Sequence, residues 1–227
     1  MEEVDLLKYE KELYEKGINL IAGTDEAGRG PLCGPVVASA VILPKNYKLE
    51  GLNDSKQLSE KKRDKFYEII KKDAISYGIG IVDAKTIDEL NIYEASRKAM
   101  LMAIDKLNIK PEYVLSDAMP LPIENSKAIV HGDALSLSIA AASVLAKVTR
   151  DKMMYELDKK HPEYGFKSHK GYPTKKHLEN IKKYENTMIN SSDELYQTTK
   201  TIYEVGEKID RIYTYANLKY SEDTSNN

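Results

Sequence analysis

The chain has 227 residues, of which 41% are hydrophobic and 31% charged, and its formal net charge is −2. This composition is typical of a globular protein and excludes a wholly disordered chain. The small net charge excludes nucleic-acid binding through a global positive field, so any such affinity must come from a local patch.

Three features predict a cytoplasmic protein that does not contact membranes. The sequence lacks a run of about 18 apolar residues of the kind that spans a membrane. Its first residues, Met1 to Val4, show neither the basic region nor the apolar core of a secretory signal. The single cysteine, Cys33, cannot form an internal disulfide.

Hydrophobic periodicity predicts strands and helices that alternate along the chain. Helical spacing is found at 5–16, 59–72 (with Ser59 as N-cap), 86–108, 135–159 and from about 174. Apolar runs typical of strands are found at 20–24, 36–43, 75–82, 113–116 and 128–130. This order predicts an α/β fold in which a mixed β-sheet is flanked by helices.

A helical tail is expected after residue 183, with residues 220–227 disordered. Its apolar residues recur from 195 to 216 in a heptad-like seam. The seam either packs on the protein's own body or binds a partner helix, and the sequence leaves both readings open.

A basic segment lies between residues 159 and 183. It contains eight lysines and three of the four histidines, against only Glu163 and Glu179. Such a stretch is either an ordinary solvated surface or a contact for nucleic-acid phosphates, and composition alone does not decide between them.

Four carboxylates stand at or near the ends of predicted strands: Asp25, Glu26, Asp117 and Asp133. Taken singly, each has an ordinary explanation, as a charged turn, a turn aspartate or a helix N-cap. Because successive strand residues point to opposite faces, the chain must leave the pleat at Asp25 and Glu26 if both are to serve one site.

Together, the four carboxylates predict a site for divalent cations. Strand ends can converge in a sheet, and carboxylates brought so close repel each other unless cations neutralise them. Oxygen ligands suit Mg²⁺ or Mn²⁺, and a pair of such ions supports phosphodiester cleavage. Zinc is disfavoured because one cysteine and scattered histidines lack ligand spacing, although His169 and His177 need to be checked in the structure.

Four ordered motifs resemble those of bacterial ribonuclease HII, and the resemblance covers roughly residues 10–183. They are Ile21–Ala38, Leu52–Lys56, Gly132-Asp133 with Ser138–Asp151, and Tyr164–Phe166 with His169–Thr174. The resemblance implies a ribonuclease H-like catalytic domain over residues 1–183 that includes the substrate-contacting segment.

The resemblance also implies an activity. The family hydrolyses the RNA strand of RNA–DNA hybrids and cuts 5′ of single ribonucleotides embedded in duplex DNA. A water molecule attacks in line with two metal ions present, leaving a 3′-hydroxyl and a 5′-phosphate without a covalent intermediate. These reactions serve DNA replication and ribonucleotide excision repair.

Site residues follow by correspondence with the family motifs. The metal-binding and catalytic carboxylates are Asp25, Glu26, Asp117 and Asp133. The Gly28-Arg29-Gly30 motif reads the ribose 2′-hydroxyl, which is the group that tells RNA from DNA, and Tyr172 stacks near the RNA-to-DNA junction. Further substrate contacts are implied at Lys56, Ser143, Lys147, His169 and Lys170.

Three positions depart from the family pattern. Ala118 follows Asp117 where many relatives have glycine, and Cys33, expected to be a buried apolar residue, stands where a smaller residue is common. The tail after about residue 184 does not match the expected family end, which puts C-terminal substrate contacts and the oligomeric state, expected to be monomeric, in doubt.

Two other functions stay open on the sequence. One is a nuclease of the same fold that cuts hybrids without a preference for junctions. The other is a catalytically silent nucleic-acid-binding module, against which the presence of all four carboxylates argues.

Overall fold

The structure is a computed structural model that describes residues 5–52 and 58–188. The described residues form two compact units, one of residues 5–29, 35–52 and 58–156, the other of residues 30–34 and 157–188. The boundary predicted near residue 183 is not tested by this division and stays a prediction. Within the described ranges, no helix combines the length and apolar character needed to cross a membrane.

The first unit is built on a five-stranded mixed sheet. Its strands are β1 (Ile21–Ala27), β2 (Val36–Ile42), β3 (Ser76–Val82), β4 (Tyr113–Asp117) and β5 (Ser126–Ile129), in the order β3-β2-β1-β4-β5. Strand β2 pairs antiparallel with β1 and β3, whereas β4 pairs parallel with β1 and β5. The mixed sheet predicted from the sequence is therefore confirmed.

The first unit also contains the helices α1 (Lys8–Tyr14), α2 (Glu60–Asp73), α3 (Ala84–Leu90) and α4 (Ile92–Asp105), and most of α5 (Leu137–Lys160), whose last four residues belong to the second unit. Strand β2 is buried along its whole length, as its apolar run predicts. Alternate β2 residues belong to different cores: Val36, Ala38 and Ala40 pack with the small residues of α4. Val41 packs with α2 and with the alanine-rich stretch of α5. The sheet is thus sandwiched between α4 on one face and α2 with α5 on the other.

Glycines allow two helices to lie directly on strands. A β-carbon at Gly80 would stand 2.0 Å from the carbonyl oxygen of Ala99 in α4. One at Gly23 of β1 would stand 2.1 Å from the backbone carbon of Ser138 in α5. These contacts are far inside van der Waals distance, so a side chain at either position would push the helix off the sheet.

Two local predictions are wrong. Strand β1 does not end at Thr24 but continues through Asp25 and Glu26, which lie opposite Ser39 and Ala38 of β2. Backbone pairing with β2 therefore overrides the low strand propensity of the two carboxylates. The single helix expected at 86–108 is two helices, because Asn91 has a φ of 74° and its side chain caps the second helix.

The second unit is a small helical unit around an aromatic cluster. It contains a 3-10 turn (Pro162–Tyr164), α6 (Phe166–His169) and α7 (Lys175–Met188), which confirms the helix expected from about residue 174. The ring of Phe166 stacks on Tyr164, with centroids 5.5 Å apart. The apolar seam at 195–216 and the disorder expected at 220–227 lie outside the described residues.

We expect Gly80→Ala to lower the free energy of unfolding by about 3 kcal/mol, the upper end of the usual cost of overpacking, because a backbone carbonyl opposes the new methyl group. Urea unfolding followed by circular dichroism measures this change. Gly17→Ala is the control, because a β-carbon there meets nothing within 4 Å, although φ is +81°. Its cost reports left-handed backbone strain alone, about 1 kcal/mol. Equal costs for the two variants would contradict the close packing of α4 on β3.

Candidate metal centre

Three aspartates of the first unit converge on one point. Asp25, Asp117 and Asp133 each offer a carboxylate oxygen, and these three oxygens lie within 4.8 Å of one another. The parallel pairing of β1 with β4 sets Thr24 beside Ser116, so that Asp25 and Asp117 follow at the same level. Asp133 lies in a 3-10 turn, Gly132–Ala134, just before α5. The sequence-predicted convergence is therefore present for these three residues.

The buried position of Asp25 makes its charge unfavourable. Burial, together with the charges of Glu26 and Asp117, raises the pKa of the Asp25 carboxyl well above its ordinary value. A hydrogen bond from the Ser143 side chain and one from the Glu26 amide, 2.7 Å from Asp25 Oδ1, act in the opposite direction. The protein thus holds in place a carboxylate that only a nearby cation would fully stabilise.

Glu26 lies beside this cluster rather than within it. Burial raises the pKa of its carboxyl, the Arg29 guanidinium lowers it, and the charge of Asp117 raises it. Its Oε1 lies 3.3 Å from Nη1 of Arg29. Its Oε2 is buried and has no hydrogen-bond partner among the described residues. Because β1 stays pleated here, the side chains of Asp25 and Glu26 leave the strand in different directions. Glu26 still has one carboxylate oxygen, Oε2, that could bind a ligand.

Asp117, the last residue of β4, is held by a backbone amide. The amide of Gly132 donates to Oδ1 of Asp117 at 2.7 Å. The next residue, Ala118, has a φ of 49°, a conformation that favours glycine. This backbone explains why glycine is expected at that position, and it shows that alanine is accommodated there.

The donor set fits Mg²⁺ or Mn²⁺. All the converging ligand atoms are carboxylate oxygens, which are the ligands that these hard cations prefer. In the described part of the chain, this is the one group of three or more potential ligands within reach of a common ion. Glu26 Oε2 adds a buried acceptor that lacks a donor.

The two histidines that raised the question of zinc form a stacked pair in the second unit, with ring centroids 4.0 Å apart. Nε2 of His169 lies 2.9 Å from the Tyr164 carbonyl oxygen, and its Nδ1 accepts from the Gly171 amide. Nδ1 of His177 lies 2.9 Å from the Tyr172 carbonyl oxygen, and its Nε2 lies 3.8 Å from Cys33 Sγ. Burial lowers the pKa of His177 to about 4, so the ring is neutral at pH 7.

These contacts correct the expectation that His169 faces the substrate backbone. The residue is buried, and both of its ring nitrogens have partners inside the protein. Its ring nitrogens are therefore not available to nucleic-acid phosphates. Cys33 is buried as expected. The sequence contained no sign of the stack, because its members are separated along the chain and meet only through folding.

The Gly28-Arg29-Gly30 motif has a constrained start. Gly28 has a φ of 117°, and a β-carbon there would lie 2.6 Å from the Pro35 carbonyl oxygen and 2.7 Å from Nε of Arg150. Arg150 is itself buried and donates from Nε to that same carbonyl at 3.0 Å. The sequence analysis assigned Arg150 no individual role within the Ser138–Asp151 motif. In the structure it supports the turn after β1.

The remaining candidates have varied surroundings. In the first unit, Ser143 is buried against Asp25, and Lys147 pairs with Asp151 at 2.7 Å. In the second unit, Tyr172 is exposed, and a β-carbon at Gly30 would lie 3.2 Å from its ring. Lys170 is half-buried and contacts the Lys167 carbonyl. Lys56 lies outside the described residues.

Comparison with known proteins gives the chain's relatives. A model of the ribonuclease HII family matches residues 22–203, so the resemblance continues past residue 184, where the sequence alone suggested that it ends. Ribonuclease HII of Bacillus mycoides (strain KBAB4) is 56% identical over 179 residues, which are 78% of this chain and 70% of that protein.

Solved structures agree with this assignment. Ribonuclease H2 from Pyrococcus horikoshii OT3 has a TM-score of 0.68 at 28% identity and covers 83% of this chain and 97% of its own. RNase HII from Archaeoglobus fulgidus, solved in complex with PCNA, has a TM-score of 0.60 at 26% identity and covers 76% of this chain and 90% of its own. By sequence and by fold, the chain belongs to the ribonuclease HII family.

Proposed function

We propose that this enzyme hydrolyses the RNA strand of RNA–DNA hybrids and cuts 5′ of single ribonucleotides embedded in duplex DNA. The products are a 3′-hydroxyl and a 5′-phosphate. The observation that supports this proposal best is the convergence of Asp25, Asp117 and Asp133 within 4.8 Å, in a chain of the ribonuclease HII family. Such cuts would serve DNA replication and ribonucleotide excision repair in the cytoplasm, with the protein acting as a monomer.

Asp25, Asp117 and Asp133 would hold Mg²⁺ or Mn²⁺, with Glu26 as the fourth ligand through its unpartnered Oε2. A pair of such ions would supply a water nucleophile at neutral pH and neutralise charge on the phosphate and the leaving oxygen. The protein's own part is positional. The Ser143 hydroxyl donates to Asp25, and the Gly132 amide donates to Asp117, so that both carboxylates are fixed before substrate arrives.

Recognition of the ribonucleotide is assigned to the Gly28-Arg29-Gly30 motif. Gly28 adopts a backbone conformation closed to other residues, which leaves peptide groups free of side-chain bulk to meet a 2′-hydroxyl. The Arg29 side chain is 43% exposed, so it can contact a phosphate while it stays near Glu26. Lys147, Lys170 and Lys56 remain proposed contacts to the nucleic-acid backbone.

The decisive assay uses duplex DNA that carries one ribonucleotide, with Mg²⁺ or with a chelator. We expect a single cut on the 5′ side of the ribonucleotide in Mg²⁺ and none in the chelator. Cleavage of long hybrids alone would favour a nuclease without junction preference. Tight binding without any product would favour a silent binding module, and either result would overturn the proposal.

We expect Asp133→Asn to reduce turnover by more than about a hundredfold, since loss of residues that merely orient a metal ligand already costs roughly 10- to 100-fold. The fold should persist, because removing one of three crowded negative charges relieves repulsion. Initial rates in Mg²⁺ and melting temperatures in chelator measure the two effects.

The matched control is Asp83→Asn, which alters a carboxylate that caps α3 through a 2.8 Å hydrogen bond from the Thr86 amide. Asparagine caps helices as well as aspartate does, so this variant should retain the wild-type rate. Near-normal turnover in Asp133→Asn would remove this residue from the site.

We expect Tyr172→Ala to reduce cleavage at RNA-to-DNA junctions by about tenfold, because stacking on one base contributes about 1–3 kcal/mol. Continuous hybrids should lose less, since they present no following deoxynucleotide for the ring to favour. Rates on the two substrates, compared as kcat/KM, give the ratio. Tyr93→Ala is the control, because that tyrosine is 41% exposed against 42% for Tyr172 and lies on α4. Equal losses on both substrates would refute the stacking role.

A further inference from the structure

A buried glutamate on the first helix has no role in the function described so far. Glu10 of α1 is only 2% exposed. Its Oε1 accepts three hydrogen bonds, from Ser136 Oγ at 2.7 Å, from Ser138 Oγ at 2.6 Å and from the Ser138 amide at 3.0 Å. Both serines are also buried. Glu10 thus binds the short segment that joins the Asp133 turn to α5.

A continuous path of hydrogen bonds leads from Glu10 to the metal centre. Ser136, whose hydroxyl donates to Glu10, donates from its amide to the Gly132 carbonyl oxygen at 2.8 Å. The Gly132 amide in turn donates to Oδ1 of Asp117 at 2.7 Å. Asp133 takes no part in these hydrogen bonds, but it lies in the chain segment that they close, between Gly132 and Ser136. The position of Glu10 is therefore coupled to two of the three clustered aspartates.

The segment from His131 to Ser136 needs such support because its backbone is irregular. His131 has a φ of 57°, and Gly132–Ala134 is a single 3-10 turn. A second contact with the N-terminal segment lies just after the turn, where the Leu137 amide donates to the Leu6 carbonyl oxygen at 2.7 Å. Without Glu10, the hydroxyls of Ser136 and Ser138 and the amide of Ser138 would lose this acceptor. The segment would then have to shift so that these buried groups find other partners.

The acceptor oxygen Oε1 of Glu10 suits this place, whereas its Oε2 is buried and has no hydrogen-bond partner among the described residues. Its carboxylate accepts the Ser138 amide in the first turn of α5, where unpaired amides and the helix dipole favour an anion. Hydrogen bonds to an ionised acceptor are also stronger than those between neutral groups. Both effects are larger for a buried carboxylate than for one that water screens.

We propose that Glu10 is a positioning residue of the metal centre: it holds Asp117 and Asp133 at the separation that a divalent ion requires, without touching the ion. This inference rests on the proposed metal-dependent function. Residues that orient metal ligands contribute about 10- to 100-fold to metal affinity. The N-terminal helix thereby belongs to the catalytic apparatus and does more than cover the core.

The test is a titration of the full chain with Mn²⁺, in which free Mn²⁺ is measured by electron paramagnetic resonance in the absence of substrate. We expect Glu10→Ala to weaken Mn²⁺ binding by about tenfold or more. Glu10→Gln should lose less, staying within about threefold of the wild type, because its neutral amide oxygen still accepts hydrogen bonds here and only the added strength from the charge is lost. Cleavage by Glu10→Ala should need correspondingly more Mn²⁺ and recover most of its kcat at saturation.

Glu112→Ala is the matched control for a loss of stability. Glu112 also accepts backbone hydrogen bonds in the first unit, from the amides of Asn19 at 2.6 Å and Leu20 at 2.8 Å, but it does not contact the segment of Ser136. It should lower the melting temperature and leave Mn²⁺ affinity unchanged. An unchanged affinity in Glu10→Ala, or an equal loss in Glu112→Ala, would overturn the positioning role.

If Glu10→Ala does not fold, Ser136→Ala decides the question, because it leaves the carboxylate in place and removes the Ser136 hydroxyl that donates to it. The variant also removes the contact of that hydroxyl with Ser138 Oγ at 3.2 Å and the bond it accepts from the Ile139 amide at 3.3 Å. We expect it to weaken Mn²⁺ binding by roughly threefold to tenfold, and unchanged binding would overturn the proposal. A wild-type chain that binds Mn²⁺ but does not cut the embedded-ribonucleotide duplex would overturn the proposed function alone. A wild-type chain that does not bind Mn²⁺ would overturn both.

Discussion

The first unit has to satisfy one constraint above all: the carboxylates of its largely buried site repel one another. Asp25, Asp117 and Asp133 come within 4.8 Å of one another, and both Asp25 and Asp133 are buried. Such an arrangement opposes folding unless neighbouring groups hold each carboxylate and a cation compensates the charge. The parallel pairing of β1 with β4, the Ser143 hydroxyl and the Gly132 amide supply the holding contacts.

Small residues make this geometry attainable. Gly23 lets the start of α5 lie against β1, and this brings Ser143, six residues into the helix beyond Leu137, to Asp25. The alanine-rich stretch of α5 is fully buried, which is consistent with a helix that approaches its neighbours closely. Glu10 completes the support from α1, on the side of α5 where the chain leaves the Asp133 turn. Hydrogen bonds from α1 and α5 thus reach the residues of the metal centre and the segment that carries them.

The second unit follows a different physical principle. Its core is a cluster of aromatic rings and two stacked imidazoles, and burial keeps His177 neutral. Backbone hydrogen bonds, from Leu32 to the Gly171 carbonyl and from Tyr172 to the His169 carbonyl, fix the segment that presents the exposed ring of Tyr172. Ring packing and backbone hydrogen bonds therefore hold the segment that carries the residue that we assign to the junction.

The sequence by itself determined the α/β class, the strands around each aspartate and the oxygen-rich chemistry of the site, because periodicity and residue type act locally. Tertiary structure decided the rest. Strand pairing carried β1 through Asp25 and Glu26, so that Glu26 lies beside the three clustered aspartates rather than among them. His169, predicted to contact the substrate, is buried in the core of the second unit. Glu10 is buried too, and folding brings it to Ser136, far from it along the chain. These outcomes depend on contacts between residues far apart in the chain, which a local pattern does not encode.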